Sequence, residues 1–209
     1  MMMAVVLAVS AVVSYLMGGL NGAIVASRLF HREDIREKGS GNPGFTNYKR
    51  VYGNGLVTWL VLIFDVVKTM FVVSITAWVM WAYFDQWQFG AQFAGLFCML
   101  GHCFPVWYGF KGGKAFIAGF ATIWFVDWRM TLIAMAIFFA VLFIGKYMSV
   151  ASCTAALSCP ISLFYLGYSN VWVEVLAIAA AALVIIRHYP NFVKLVHGTE
   201  SKFTLSSKH

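Results

Sequence analysis

Charge is what this chain has least of. Only 11% of its 209 residues are Asp, Glu, Lys or Arg, and just eight are acidic, against roughly a quarter charged in soluble domains. That scarcity excludes a water-soluble globular protein. Cysteine is sparse as well: Cys98, Cys103, Cys153 and Cys159 fall inside apolar runs and lack metal-ligand spacing with the histidines, so they read as reduced, buried thiols and no metal is expected. There is no GxSxG elbow and no HExxH helix, which removes two familiar hydrolase chemistries. A His followed five residues later by Asp, the catalytic pair of acyltransferases that use acyl thioesters, is missing too.

What fills the space is apolar: 61% of the chain is hydrophobic. Runs of about 18 or more such residues recur, each long enough to cross about 30 Å of hydrocarbon as a helix. Seven spans are expected, near 4–27, 56–80, 90–106, 113–127, 130–147, 150–167 and 171–187. The third and fourth are short, separated only by YGFKGGK, and either could be tilted or re-entrant. Backbone groups in lipid must bond internally, so the chain reads as an all-α bundle, one seven-helix domain over 1–209. Pro160 should kink the sixth span, and the glycine pair Gly18–Gly19 should permit close helix packing.

The fifteen basic residues are distributed with a bias. With spans alternating, one side carries Arg28, Arg32, Arg36, Lys38, Lys49, Arg50, Lys111, Lys114, Lys146, Arg187, Lys194, Lys202 and Lys208, and the other only Arg129. Lys68 is inside a span. By the positive-inside rule the basic side is cytoplasmic, which puts the N-terminus outside and the C-terminus in the cytoplasm. The net charge of +7 thus reflects topology, and no nucleic-acid partner is expected. No basic n-region precedes the first span, so a cleaved signal peptide is not expected. Trp and Tyr clusters at 78–87 and 165–172 read as interfacial anchors on the outer face.

The same alternation brings three polar segments to one membrane face: 28–55, 107–115 and 187–200. In the first, KGSGNPGFTN packs three glycines among small polar residues, the composition of a loop that offers backbone N–H groups to phosphate oxygens. Arg50 adds a planar fork and Lys49 a point charge. FKGGK repeats the recipe, although it is no Walker A loop, since Tyr108 and Ala115 stand at two of that motif's defining positions. RHYPN contributes Arg187, His188 and Asn191, with Glu200 further on. Three anion-friendly segments on one face predict a ligand with more than one phosphate, or two phosphorylated ligands. Asp65 and Lys68, three residues apart within the second span, share a helix face and read as an ion pair tying that span to the loops.

DIREKGSGNPGFTN with Arg50, GHCFPVWYGFKGGK and RHYPNFVKLVHGTE resemble, in order and spacing, the three cytoplasmic motifs of the bacterial acyl-phosphate:glycerol-3-phosphate acyltransferases, the PlsY family. The resemblance implies acyl transfer from acyl phosphate to the sn-1 hydroxyl of glycerol 3-phosphate, giving lysophosphatidic acid and phosphate for phospholipid biosynthesis. It further implies a bacterial cell-membrane protein with its active site toward the cytoplasm. No cofactor is implied; membrane lipid and the enzyme that forms acyl phosphate are the implied partners. Phosphate is already a competent leaving group, so positioning and charge stabilisation suffice without a covalent intermediate.

By position, the resemblance makes Ser40, Arg50, Lys114, His188 and Asn191 catalytic. It gives Gly41, Asn42, Gly44, Thr46, Asn47, Lys111, Gly112 and Gly113 to the phosphate pocket, with His102 supporting it and Glu200 bracing the third segment. The base is either a substrate phosphate or His188. The chain departs from the family pattern at GGLNGA, DVVKT, Tyr189–Pro190 and AFIAG, where the Ala115 Cβ would face the phosphate pocket. The rival reading, a transporter of a phosphorylated or lipid anion, lacks an internal repeat with paired broken helices.

Overall fold

The computed structural model describes residues 1–168 and 170–203; Lys208, counted above, lies outside them. The described chain is helical throughout, in the order α1 (Met2–Gly19), α2 (Gly22–Ala26), α3 (Phe45–Tyr52), α4 (Leu56–Phe84), α5 (Trp87–Cys103), α6 (Phe116–Val126), α7 (Trp128–Gly145), α8 (Met148–Tyr165) and α9 (Val171–Val196). Six helical stretches are long and apolar enough to cross a membrane, and their outward surfaces carry Ile63, Val67, Phe71, Phe143, Ile161 and Ile178 in exposed positions. It is an integral membrane protein.

Three details differ from the seven spans expected. The fourth span is only α6, eleven residues and about 16 Å long at 1.5 Å per residue, half of what a crossing needs. It is short because residues 112–113 are held back against the end of α5 and Asp127 already caps α7, accepting from the Arg129 N–H at 2.7 Å. The first span is interrupted: α1 stops at Gly19, Asn21 caps α2, and a π-helical turn follows over Ser27–His31. The last helix passes position 187 and continues to Val196 with Pro190 inside it, so RHYPN is helical.

α5 is the centre of the bundle, packing against α1, α4, α6 and α9. Its crossing with α1 is close because both sides present glycine. A Cβ on Gly18 would stand 2.1 Å from the Cys98 carbonyl oxygen, and one on Gly101 would stand 2.0 Å from that of Tyr15, the small-residue contact that membrane helices use. All four cysteines are free and buried.

Trp78, Trp81, Tyr83, Tyr165 and Trp172 face outward at the end where α4 and α8 finish and α9 begins, and there Asn170 Nδ2 donates to Gln86 Oε1 at 2.7 Å, joining the start of α9 to the turn after α4. Arg129, the one cation expected at this end, is neutralised by Asp127 at 2.7 Å. The opposite end carries the polar segments.

Candidate active site

The first segment is framed by Arg36. Its Nε and Nη2 clamp Asp34 at 2.9 and 2.7 Å while Nη1 donates to the Tyr108 carbonyl at 2.8 Å and that of Lys111 at 3.4 Å. The guanidinium beside Asp34 holds its carboxyl far below the usual carboxylate range, so the fork remains ionised on both sides and ties the first segment to the second. In the sequence Arg36 is simply one of the basic residues of this face. Nothing in its local pattern reveals that its two carbonyl acceptors lie 72 and 75 residues away.

From Lys38 the chain turns over the buried amide of Asn47, whose Oδ1 accepts from the Ser40 N–H at 2.8 Å and whose Nδ2 donates to the Lys38 carbonyl at 3.0 Å. Asn47 is thus a scaffold beneath the loop, and the side chains left outward are those of Ser40, exposed, and Asn42, half-buried; the Gly41 N–H donates to the Lys38 carbonyl and the Gly44 N–H to that of Asn42, both at 3.0 Å. Gly41 sits at φ +75°, and Gly44 is the N-cap of α3, which no side chain caps. The first N–H groups of α3 therefore have no helical acceptor and are open to an anion. Thr46 and Arg50, four residues apart, share a face of this helix; Arg50 is exposed.

In the second segment the two glycines serve close approach. Gly112 N–H donates to the Cys103 carbonyl at 3.2 Å and Gly113 N–H to that of His102 at 2.9 Å, so neither is free for a phosphate. A Cβ on Gly112 would lie 2.1 Å from the His102 carbonyl oxygen, and one on Gly113 would lie 2.3 Å from His102 Nε2. The loop can press onto the end of α5 only without them. Ala115 is buried at φ +57° among Met99, Cys103, Ala118 and Cys153, so its methyl belongs to an apolar cluster. Lys111 is exposed; Lys114 is half-buried.

The third segment closes the ring. Arg187 donates from Nε to the Gly113 carbonyl at 3.0 Å and from Nη2 to that of Gly112 at 2.9 Å, with its guanidinium carbon 5.1 Å from the centre of the Phe104 ring. Lys114 Nζ donates to Asn191 Oδ1, and Asn191 Nδ2 donates to Glu200 Oε1 at 2.7 Å. Burial pulls the Lys114 ammonium down to about 8, partly offset by Glu200. His188, one turn before Asn191, is buried, its Nδ1 2.8 Å from the Val184 carbonyl. A carbonyl only accepts, so Nδ1 carries the proton and Nε2 keeps its lone pair in the neutral ring.

Beneath these loops, Asp65 and Lys68 of α4 form the expected buried pair at 2.6 Å. Lys68 Nζ also lies 3.3 Å from His102 Nδ1. The structure therefore gathers all three segments at one end of the bundle, with His102 under the seam.

The model of the glycerol-3-phosphate acyltransferase family matches residues 8–198. The chain belongs to that family. Among curated members of the glycerol-3-phosphate acyltransferase family, the protein of Staphylococcus saprophyticus is 35% identical over 198 residues, covering 91% of this chain and 95% of that one. The protein of Jannaschia sp. is 34% identical over 204 residues, covering 98% and 96%. The crystal structure of PlsY, an integral membrane glycerol 3-phosphate acyltransferase, in its glycerol 3-phosphate form superposes with a TM-score of 0.83 at 31% identity, covering 95% of this chain and 96% of that one. Its lysophosphatidic acid form gives 0.82 at 30% identity, covering 95% of each.

Proposed function

We propose that the protein transfers an acyl group from acyl phosphate to the sn-1 hydroxyl of glycerol 3-phosphate at the cytoplasmic face of a bacterial cell membrane. The observation that carries this reading is the convergence of three polar segments at one end of the bundle. The uncapped start of α3, Arg50 and Lys111 supply donors and charge on one side; Lys114, His188 and Asn191, cross-linked through Arg187 to the Gly112 and Gly113 carbonyls, lie on the other.

The chemistry needs little beyond this. The glycerol hydroxyl attacks the acyl carbonyl carbon, the C–O bond to phosphate breaks, and inorganic phosphate leaves with the electron pair. Cationic and N–H donors around the leaving phosphate and the carbonyl oxygen stabilise the charge that develops there. The hydroxyl proton passes to a substrate phosphate oxygen. His188 is the alternative acceptor, since its Nε2 lone pair is open. The side chains of Ser40, Asn42 and Thr46 would hold one phosphate, with Gly41 and Gly44 shaping the turn around it; Glu200 would orient Asn191.

An apolar lining beside the same loops suits an acyl tail. A narrow cleft of about 40 Å³ lies between α5, α6, α8 and α9, lined by Met99, Phe116, Phe120, Ala156, Ala180 and Val184, and it would have to widen to take the chain. Phe116 is two residues from Lys114 and Val184 one turn from His188, so a chain entering sideways from lipid would end with its head at the polar loops.

Purified protein supplied with acyl phosphate and glycerol 3-phosphate should release phosphate and form lysophosphatidic acid. Phosphate release no faster than without protein, together with glycerol 3-phosphate uptake into proteoliposomes, would replace this reading with the transporter. A His188→Gln variant that binds both substrates yet loses nearly all turnover would make His188 the base.

A further inference from the structure

Behind His102, beneath the polar loops, lies the buried Asp65–Lys68 ion pair. Asp65 and Lys68 are both about 4% exposed on α4, in the membrane interior, where a buried pair is weak evidence of stability and points to a task. Lys68 spends its ammonium in three directions. It donates to Asp65 Oδ1, to the Leu20 carbonyl at the break between α1 and α2, and toward His102 Nδ1 at 3.3 Å. The same break holds the first loop, since Asn21 Nδ2 donates to the Pro43 carbonyl at 2.9 Å.

An ammonium has donors only. His102 Nδ1 must therefore accept, and the proton of the neutral ring is left on Nε2. The opposite tautomer would aim an N–H at a cation. Nε2 lies on the Gly113 side of the ring: a Cβ on Gly113 would come within 2.3 Å of it and within 3.2 Å of the Pro43 carbonyl oxygen. The N–H is thus presented at the seam between the first and second loops.

We propose that Lys68 is a positioning residue of the acyl-transfer site, fixing His102 from inside the membrane as the Nε2–H tautomer so that this N–H donates to a phosphate oxygen held at the loop seam. Asp65 keeps Lys68 aimed, and its Oδ1 also lies 3.4 Å from the Gly22 N–H, so the pair sets ring and helix break together. This rests on the acyltransferase reading for its catalytic consequence, though not for the tautomer itself.

The test uses full-length protein in detergent micelles with 15N-labelled histidine, His102 being assigned by the signal lost in His102→Gln. The variant is the double Asp65→Asn/Lys68→Met, which leaves no lone buried charge and whose folding is checked by thermal unfolding. The wild-type ring is expected to carry its proton on Nε2 and to shift on titration with inorganic phosphate. In the double variant the proton is expected to populate Nδ1, the phosphate response to weaken, and kcat/KM to fall about 10- to 100-fold, as when an orienting partner behind a ligand residue is removed, with most of the loss in KM. A wild-type proton on Nδ1, an unchanged tautomer in the variant, or a changed tautomer with unchanged kcat/KM each overturns the proposal. A wild-type protein without any acyl transfer would remove the proposed function, and the phosphate titration would then decide the role of Lys68 alone.

Discussion

Replacing Lys114 with Met should make the protein more stable and nearly inactive. The ammonium is half-buried and donates to Asn191 Oδ1, an uncharged acceptor; Glu200 is reached through Asn191. Burial lowers its pKa from 10.5 to about 8, so at neutral pH the fold carries a charged group it would prefer neutral. A shift of about 2.5 units corresponds to about 3 kcal/mol at 1.36 kcal/mol per unit, and water reaching the partly exposed group reduces the usable figure to about 2. Losing the hydrogen bond to Asn191 returns about 1 kcal/mol, leaving Lys114→Met about 1 kcal/mol more stable at pH 7. The pH dependence carries the sharper sign. Between pH 8 and 10.5 the unfolded chain still binds the proton that the folded protein has released, so wild-type stability rises with pH through that window relative to Lys114→Met, and the two curves stay parallel below it. Thermal unfolding of both proteins in one detergent from pH 6 to 10.5 reads this directly, with phosphate release measured on the same samples. A variant less stable than wild type at pH 7, or a stability difference that does not change between pH 8 and 10.5, would show that Lys114 is not a strained cation held for a phosphate.

Three further outcomes are expected. Gly112→Ala forces a methyl to within 2.1 Å of a backbone carbonyl, so the loop must leave the end of α5; steady-state kinetics should show a raised KM for glycerol 3-phosphate with the fold retained in circular dichroism. Asn47→Ala removes hydrogen bonds to the Ser40 N–H and to the Lys38 and Ile35 carbonyls and should cost about 2 to 3 kcal/mol, read as a lower melting temperature and faster proteolysis within residues 38–47. Asp65→Asn and Lys68→Met as single variants each strand one buried charge and should cost about 3 to 5 kcal/mol, while the double variant recovers most of that; equal losses in all three would argue against a paired arrangement.

The membrane architecture was legible because lipid imposes it: apolar runs of sufficient length must be helices, and the positive charges sort to one end. Interruptions were less legible. GGLNGA reads as part of a continuous apolar run, and only the Asn21 cap and the Lys68 donation to the Leu20 carbonyl make it a break. The last span is expected to end at 187, yet the helix runs on through Pro190 to Val196, since a proline removes one N–H and a neighbouring turn can hold the rest. For the site, residue types in KGSGNPGFTN, FKGGK and RHYPN predict a shared polar, anion-friendly end of the bundle, but not which of their groups are left open there. Asn47 and the two glycines of FKGGK have the same composition signal as Ser40 and Thr46, and only hydrogen-bond partners distinguish them.

That distinction has a mechanistic consequence. The groups at the loop end divide into two sets: those consumed by the frame and those left open. Arg36, Asn47, Arg187 and the Gly112 and Gly113 N–H groups are all paired within the protein, and each pairing crosses from one part of the site to another. Ser40 and Arg50 stand exposed, and the first N–H groups of α3 lack a side-chain cap. A site that must stabilise charge as it moves from a carbonyl oxygen to a departing phosphate gains most when its donors do not have to reorganise. Under the proposed acyl transfer, spending five groups on rigidity would leave a few donors fixed and unpaired, which would let a chain with so little charge hold such a transition state without a covalent intermediate.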